Sequence, residues 1–207
     1  RRPGKDNSLS PVMTGSHIDS QPTGGKFDRI YGIMAGLEVV RPLDDFNYET
    51  QRPVEVAVWT NEEGSRFAPA MVASGVFAGV FPLEYGLSRA DLNGKTMGEE
   101  LKRIGYDGPE QVGGRDVFAF FETHIEQGPI LEAEKKTIGV VQGAQGQRWF
   151  EVIMVGQEAH AGPTPMKVRK DPLVGGAHVV STVNRIGHDN QPFACATVGL
   201  INSSPNS

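Results

Sequence analysis

Histidine, aspartate and glutamate recur in this chain in four short clusters: His17 with Asp19, Asp28, the adjacent pair Glu62 and Glu63, and His124 with Glu126. Neutral imidazole and carboxylate are the donors that zinc and manganese take, and a shared carboxylate can bridge two ions about 3.5–4 Å apart. Any one of these residues alone reads more readily as a turn cap or a satisfied core residue. Four clusters, each placed where an apolar stretch or a glycine turn ends, read together as a cation centre.

The adjacent glutamates carry a second implication. Neighbouring side chains on an extended or turning backbone point in different directions, so one can bind a cation while the other takes a proton from water whose pKa the cation lowers from near 15.7 toward about 7. The structural alternative is an acid-rich helix N-terminus, favoured by the helix dipole. Asp19, two residues after His17, could accept a hydrogen bond from the second imidazole nitrogen and fix its tautomer, or cap a turn. His160, in Gly156-Gln157-Glu158-Ala159-His160-Ala161-Gly162-Pro163, lies far along the chain and suits oxyanion stabilisation rather than cation binding. His178 and His188 read as helix-surface or loop residues.

These clusters need elements to hold them. Val12 to Gly15 reads as a short buried strand leading into Ser16-His17-Ile18-Asp19. Ile33, Leu37 and Val40 stand near helical spacing, which predicts a helix over Ile30 to Arg41, ended by Pro42. Val54 to Thr60 is a β-branched run with the look of a strand buried on both faces, and it runs into Asn61-Glu62-Glu63-Gly64. Arg66 to Gly79 and Thr96 to Ile104 read as helices, and Val117 to Glu122 as a strand delivering Thr123-His124-Ile125-Glu126. Strand, helix and strand in alternation is the pattern of an α/β parallel sheet. Glycine and glutamine dominate Gly143 to Gln147, and a domain boundary is placed there, giving residues 1–146 and 147–207. Beyond it, Arg148 to Val155 reads as a strand, Asp171 to Ile186 as a helix and Phe193 to Ile201 as a strand, the opening β-α-β of an α+β module.

Composition narrows the function classes. Twenty lysines and arginines against 25 aspartates and glutamates leave a formal charge of −5, and no basic run is present, so nucleic acid is not an expected partner. No apolar run approaches the roughly 20 residues of a membrane span, and Arg1 to Ser10 lacks a signal-peptide core. The single cysteine, Cys195, sits in an apolar stretch and reads as a buried thiol in a reducing compartment, so the cytoplasm is the expected location. A small molecule is the expected ligand. The chain begins at Arg1-Arg2-Pro3 and stops just after an apolar run, and it is expected to be a piece of a longer protein.

Five motifs, taken in order, resemble one enzyme family. They are Thr14-Gly15-Ser16-His17-Ile18-Asp19-Ser20, Gly24-Gly25-Lys26-Phe27-Asp28, Asn61-Glu62-Glu63-Gly64-Ser65-Arg66-Phe67, Glu122-Thr123-His124-Ile125-Glu126-Gln127-Gly128-Pro129 and Gly156 to Pro163. They resemble the signatures of the dinuclear metal amidohydrolases, the group of N-carbamoyl-L-amino-acid hydrolase, β-ureidopropionase and allantoate amidohydrolase, which is related to the aminoacylase and carboxypeptidase G peptidases. The resemblance covers roughly Val12 to Ser207. Arg29 departs from it, standing where the family usually has glycine after the aspartate.

The resemblance implies a zinc-peptidase-like α/β catalytic domain with an inserted α+β, ferredoxin-like dimerisation or lid domain. It implies two divalent ions, with zinc the first choice and manganese, cobalt or nickel also suited. By the same resemblance His17, Asp28 and His124 are ligands with Asp28 bridging, Glu63 is a ligand of the other ion, and Glu62 is the general base. Gln147, His160 and Asn206 fall where the family holds substrate, and His160 resembles a residue that reaches into a partner subunit's site, which implies a homodimer. A last ligand histidine and a carboxylate-binding arginine are expected in sequence following Ser207. The implied reaction is hydrolysis of a linear carbon–nitrogen bond, taking an N-carbamoyl-L-amino acid or 3-ureidopropionate to the amino acid, ammonia and carbon dioxide. Allantoate amidohydrolase activity and a truncated, non-catalytic paralogue are the alternatives.

Overall fold

A computed structural model describes residues 1–28 and 30–205; Arg29 and the substrate-contact candidate Asn206 lie outside the described residues. Contacts divide the chain into two compact units, Arg1–Val140 and Val141–Ser207. The glycine- and glutamine-rich stretch at 143–147 falls among the first residues of the second.

The first unit is α/β with a parallel sheet. Strand β1 (Val12–His17) lies between β2 (Val54–Trp59) and β3 (Ala119–Phe121), parallel to both. Two-sided pairing explains why β1, and not β2, is the covered strand: Met13, Ser16 and His17 are buried, whereas Val58 on β2 is 47% exposed. The expectation that 54–60 is buried on both faces is therefore corrected. β1 and β2 approach so closely at Gly15 that a Cβ there would stand 2.0 Å from the Ala57 carbonyl oxygen.

Helix α1 (Ile30–Asp45) crosses back between β1 and β2, as a parallel pair requires. Its glycines let it lie flat on the sheet: a Cβ on Gly32 would meet the Ser16 Cβ at 2.6 Å, and one on Gly36 the Thr14 Cγ2 at 3.1 Å. Buried Ile33 sits between them on the same face. The helix does not stop at Pro42 as its sequence predicts. Proline removes one donor, but the following turn is closed by the Phe46 amide to the Pro42 carbonyl (3.0 Å) and the Tyr48 amide to the Leu43 carbonyl (2.8 Å). Arg2 adds a cationic cap, donating to the Leu43 and Tyr48 carbonyls at 3.1 and 2.8 Å and to the Asp44 carboxylate at 2.5 Å.

Between β2 and β3 lie α2 (Val72–Phe77), α3 (Leu83–Leu87) and α4 (Met97–Ile104). Only the second half of the helix expected over 66–79 forms. Residues 61–71 are instead held as a loop: the Asn61 amide donates to the Phe67 carbonyl (2.7 Å), the Met71 amide to the Glu62 carbonyl (2.7 Å), and Pro69 has no amide proton to give. The α4 prediction matches the structure. Thr96 and Glu99 form a reciprocal capping box, and Gly105 at φ +72° ends the helix. Met97 packs with Phe67 and Val72 in a small core joined by Val76 and Leu101. The short helix α5 (Ile130–Ala133) follows β3.

The second unit is organised by α6 (Pro172–Asp189), with Pro172 at its first position and the Asp171 carboxylate accepting from the amides of Leu173 (3.0 Å) and Val174 (3.3 Å). The strands expected over 148–155 and 193–201 do not form among the described residues. A strand exists through its ladder, and these stretches lie against α6 instead, Met154 at Gly175 and Ala196 at Gly187. Val155 stays 89% and Phe193 84% exposed. Cys195, expected to be buried, is exposed.

Candidate active site

Parallel strands present their carboxyl ends along one edge of a sheet, where ligands of α/β folds collect. His17 is the last residue of β1, Glu62 stands three residues past β2, and His124 three past β3. The register pairs Thr14 with Phe121, so equal steps along both chains bring His17 and His124 level. Their rings stack at 5.9 Å between centroids, 22° from parallel. Asp28, two residues before α1, completes the group: one donor atom each from His17, Asp28 and His124 lie within 4.8 Å of one another. His17 and Asp28 are buried, and His124 Nε2 is 3.3 Å from Asp28 Oδ1.

The tautomers follow from the partners. His124 Nδ1 lies 2.7 Å from the Ile125 carbonyl, and His17 Nδ1 lies 3.3 Å from the Asp19 carbonyl. A carbonyl only accepts, so each Nδ1 is placed to donate to it, and each Nε2 is turned toward a carboxylate, Glu62 for His17 and Asp28 for His124. Two imidazole nitrogens and a buried carboxylate are the donor set that fits a borderline divalent cation such as zinc or manganese.

The other candidates are distributed differently. Glu62 Oε2 lies 3.4 Å from His17 Nε2. Burial raises the Glu62 carboxyl above its ordinary value; His17 opposes this, and Glu63, Asp19 and Glu122 reinforce it. Glu63 does not join the close group, and its Oε2 accepts from the Gln21 amide at 2.8 Å. The Asp19 carboxylate is engaged by backbone: Oδ1 accepts from the Glu62 amide (3.1 Å) and Oδ2 from the Glu63 amide (3.0 Å), with His17 Nδ1 at 3.5 Å from Oδ1. Glu126, a donor type in the sequence pattern, instead caps α5 through the amides of Ile130 and Leu131, each at 2.9 Å.

Gln127 was not singled out by sequence reasoning, and its amide donates to Asp28 Oδ2. Its only signal is its place three residues after His124. A cavity of about 310 Å³ opens beside Asp28, walled by Gly24, Gly25 and Lys26. In the second unit His160 Nδ1 accepts from the Gly162 amide at 3.1 Å, which puts the proton on Nε2 as a free donor. Gln147 is exposed there, and its carbonyl accepts from Arg148 at 3.1 Å.

Known proteins carry the same arrangement of sequence. The N-carbamoyl-L-amino-acid amidohydrolase of Rhizobium meliloti is 54% identical over 206 residues, 100% of this chain and 50% of that protein. The allantoate amidohydrolase of Bacillus subtilis is 33% identical over 208 residues, again 100% and 50%. Among solved structures, an amidase of the hydantoinase/carbamoylase family from Burkholderia vietnamiensis superposes with a TM-score of 0.96 at 67% identity, covering 100% of this chain and 50% of that one. The chain thus spans about half the length of the relatives it matches. Residues 13–203 match the family described as Peptidase family M20/M25/M40, and the chain belongs to that family.

Proposed function

We infer that this chain carries the proton acceptor and most of the cation ligands of an amidohydrolase acting on N-carbamoyl-L-amino acids. The convergence of His17, Asp28 and His124 at the strand ends, the first two of them buried, is the observation that carries the reading. The 54% identity to the Rhizobium meliloti amidohydrolase supports this substrate class.

His17, Asp28 and His124, together with Glu63, are the residues that would hold a pair of divalent ions, zinc first. When bound, such ions supply Lewis acidity, polarising the ureido carbonyl and lowering the pKa of the attacking water. Gln127 donates to one oxygen of Asp28 and so fixes the orientation of that carboxylate. Glu62, with its carboxyl raised by burial and its Oε2 beside His17, accepts the proton of the attacking water. It then delivers that proton to the leaving nitrogen as the carbon–nitrogen bond breaks. The amino acid departs, and the carbamic acid left behind falls to ammonia and carbon dioxide. His160, with Nε2 as donor, supplies a hydrogen bond to the developing oxyanion. We assign that donation across a homodimer, with Gln147 and Asn206 contacting substrate, the second unit serving as dimerisation or lid module, and the cytoplasm as location. No helix of the described residues is long and apolar enough to cross a membrane.

Ammonia release from N-carbamoyl-L-alanine and 3-ureidopropionate, with zinc or manganese added, tests the activity against allantoate in parallel. Preference for allantoate would transfer the reading to the 33% identical relative's reaction. Cation binding without turnover of any of the three would favour a non-catalytic paralogue.

A further inference from the structure

Adjacent glutamates with different tasks need something that fixes which one faces the cation centre. Residues 61–71 fold on themselves through Asn61, at φ +56°, and the Met71 amide, but those bonds stay inside the loop. Besides the Glu62 contact to His17, this loop is tied to the end of β1 through Asp19, Ser20 and Gln21. Asp19 receives the Glu62 and Glu63 amides, one on each carboxylate oxygen, at 3.1 and 3.0 Å. The Ser20 carbonyl receives the Ser65 hydroxyl at 3.1 Å. Gln21 donates its side-chain amide to Glu63 Oε2 at 2.8 Å.

We propose that Asp19 and Gln21 are positioning residues that set the division of labour between Glu62 and Glu63, Asp19 by clamping both backbone amides and Gln21 by taking hold of the Glu63 carboxylate. The proposal rests on the reading of Glu62 as proton acceptor and Glu63 as ligand. With both amides drawn into one carboxylate, the turn has a single orientation, and the side chains leave it in different directions: Glu62 to His17 Nε2 at 3.4 Å, Glu63 to Gln21. Because both Asp19 oxygens already accept backbone donors, the His17 tautomer leans first on the Asp19 main-chain carbonyl, at 3.3 Å against 3.5 Å to the carboxylate. Asp19 therefore acts on the glutamate turn more than on the imidazole. Gln21 suits its task because it is neutral: a lysine there would compete with a cation for Glu63, and a glutamate would repel it, whereas an amide engages one oxygen and leaves the other.

Amide hydrogen exchange followed by NMR tests the clamp in the cation-free protein, with the Leu101 amide in α4 as internal reference. The Glu62 and Glu63 amides should be protected in the natural sequence. In Asp19→Ala both should exchange about tenfold or more faster, the scale of losing a charge-assisted bond. Asp19→Asn, which keeps one acceptor oxygen, should release one of the two. Unprotected amides in the natural sequence, or unchanged exchange in a folded Asp19 variant, overturn the clamp; the first measurement needs no variant to fold. For Gln21, calorimetric titration with zinc should show Gln21→Met weakening the Glu63-dependent ion about tenfold while the ion of His17, Asp28 and His124 is kept, and kcat for N-carbamoyl-L-alanine should fall with KM unchanged. Equal weakening of both ions, or no change in either, overturns the role of Gln21. Failure of the natural protein to bind zinc at all would refute the underlying site and would leave the exchange experiment to decide the clamp independently.

Discussion

The end of β1 in the first unit and the segment 148–155 in the second are both apolar runs followed by histidine-bearing motifs, yet they end in opposite conditions. β1 is paired on both sides, and the histidine that closes it is 2% exposed. The later run has no ladder partner among the described residues, and His160 beyond it is exposed. The difference teaches that strand-forming sequence specifies a candidate for pairing, and that partners turn it into a scaffold stiff enough to aim a side chain. It also separates two kinds of proposed functional residue: candidate cation ligands held in place by the first unit, and a proposed donor, His160, exposed in the second.

The strongest way to sharpen this contrast is at the glutamate pair. Glu62→Gln should lower turnover of N-carbamoyl-L-alanine by about 10²–10⁴, the range for losing a general base, while the bound ions are retained. Glu63→Gln should lose an ion as well. Metal analysis of both purified variants beside their rates is the check, and equal ion loss in both would refute the base assignment.

The second unit is probed by His160→Ala. With the ligands untouched, ion content and subunit association should stay as they were, and kcat should fall by about 10²–10³, as for loss of one oxyanion donor. Mixed dimers of this variant with Glu62→Gln should regain some activity, because one of the two hybrid sites then holds both groups. Confirmed hybrids with no rescue would confine His160 to its own subunit and erase the distinction between the two kinds of residue.

Packing gives a smaller, direct comparison. Met97, 6% exposed and packed with Phe67 and Val72, should cost about 2–5 kcal/mol as Met97→Ala. Val155, 89% exposed, should change stability by less than about 0.5 kcal/mol as Val155→Ala. The two tryptophans fall one to a unit, Trp59 in the first and Trp149 in the second, so fluorescence-detected urea unfolding in Trp59→Phe and Trp149→Phe backgrounds reads each unit. A large loss in the Val155 variant would mean that the second unit's apolar run is covered in the working protein.

How much of this was legible beforehand depends on where each residue's partner lies. β1, α4 with its Thr96–Glu99 box, and the Asp171-capped α6 were readable because their determinants sit within a few residues of each other. The clustering of His17, Asp28 and His124 matches the motif reading because each donor closes or follows an element that the alternation of strand and helix already implies. Asp19 was readable as a neighbour of His17, 3.5 Å away, but its bond to the Glu62 amide and those of Gln21 and Gln127 were not, since their partners lie 43, 42 and 99 residues away. Glu126 shows a local use that the cluster pattern did not anticipate: a carboxylate four residues before a helix caps it. The helix expected over 66–79 lost its first half to Asn61, whose side-chain bonds to the Phe67 and Pro69 carbonyls are a loop-forming choice that apolar spacing does not reveal.

The smallest expected effect concerns the ion pairs that join Arg66, Asp91, Glu100 and Arg103. Glu100 accepts from Arg103 at 2.9 Å and pairs with Arg66 at 2.9 Å, while Arg66 also grips Asp91 at 2.9 Å. Hydrogen bonds from Arg103 first and Arg66 second pull the Glu100 carboxyl from its ordinary 4.5 down to about 2. A carboxyl depressed in the folded state binds its proton more readily when unfolded, so stability from this network is complete above the ordinary carboxylate range and is lost as pH falls from about 4.5 toward about 2. Glu100→Gln should therefore flatten the decline of the unfolding midpoint across that interval, starting somewhat below the natural protein at neutral pH and meeting it near the acid end, the gap kept modest by solvent screening of a surface pair. Added salt should shrink the difference between the two proteins, because pairs at the surface are screened. Identical acid profiles for both would show that the Arg66 bridge to Asp91 alone holds this loop against α4, with Glu100 a bystander to it.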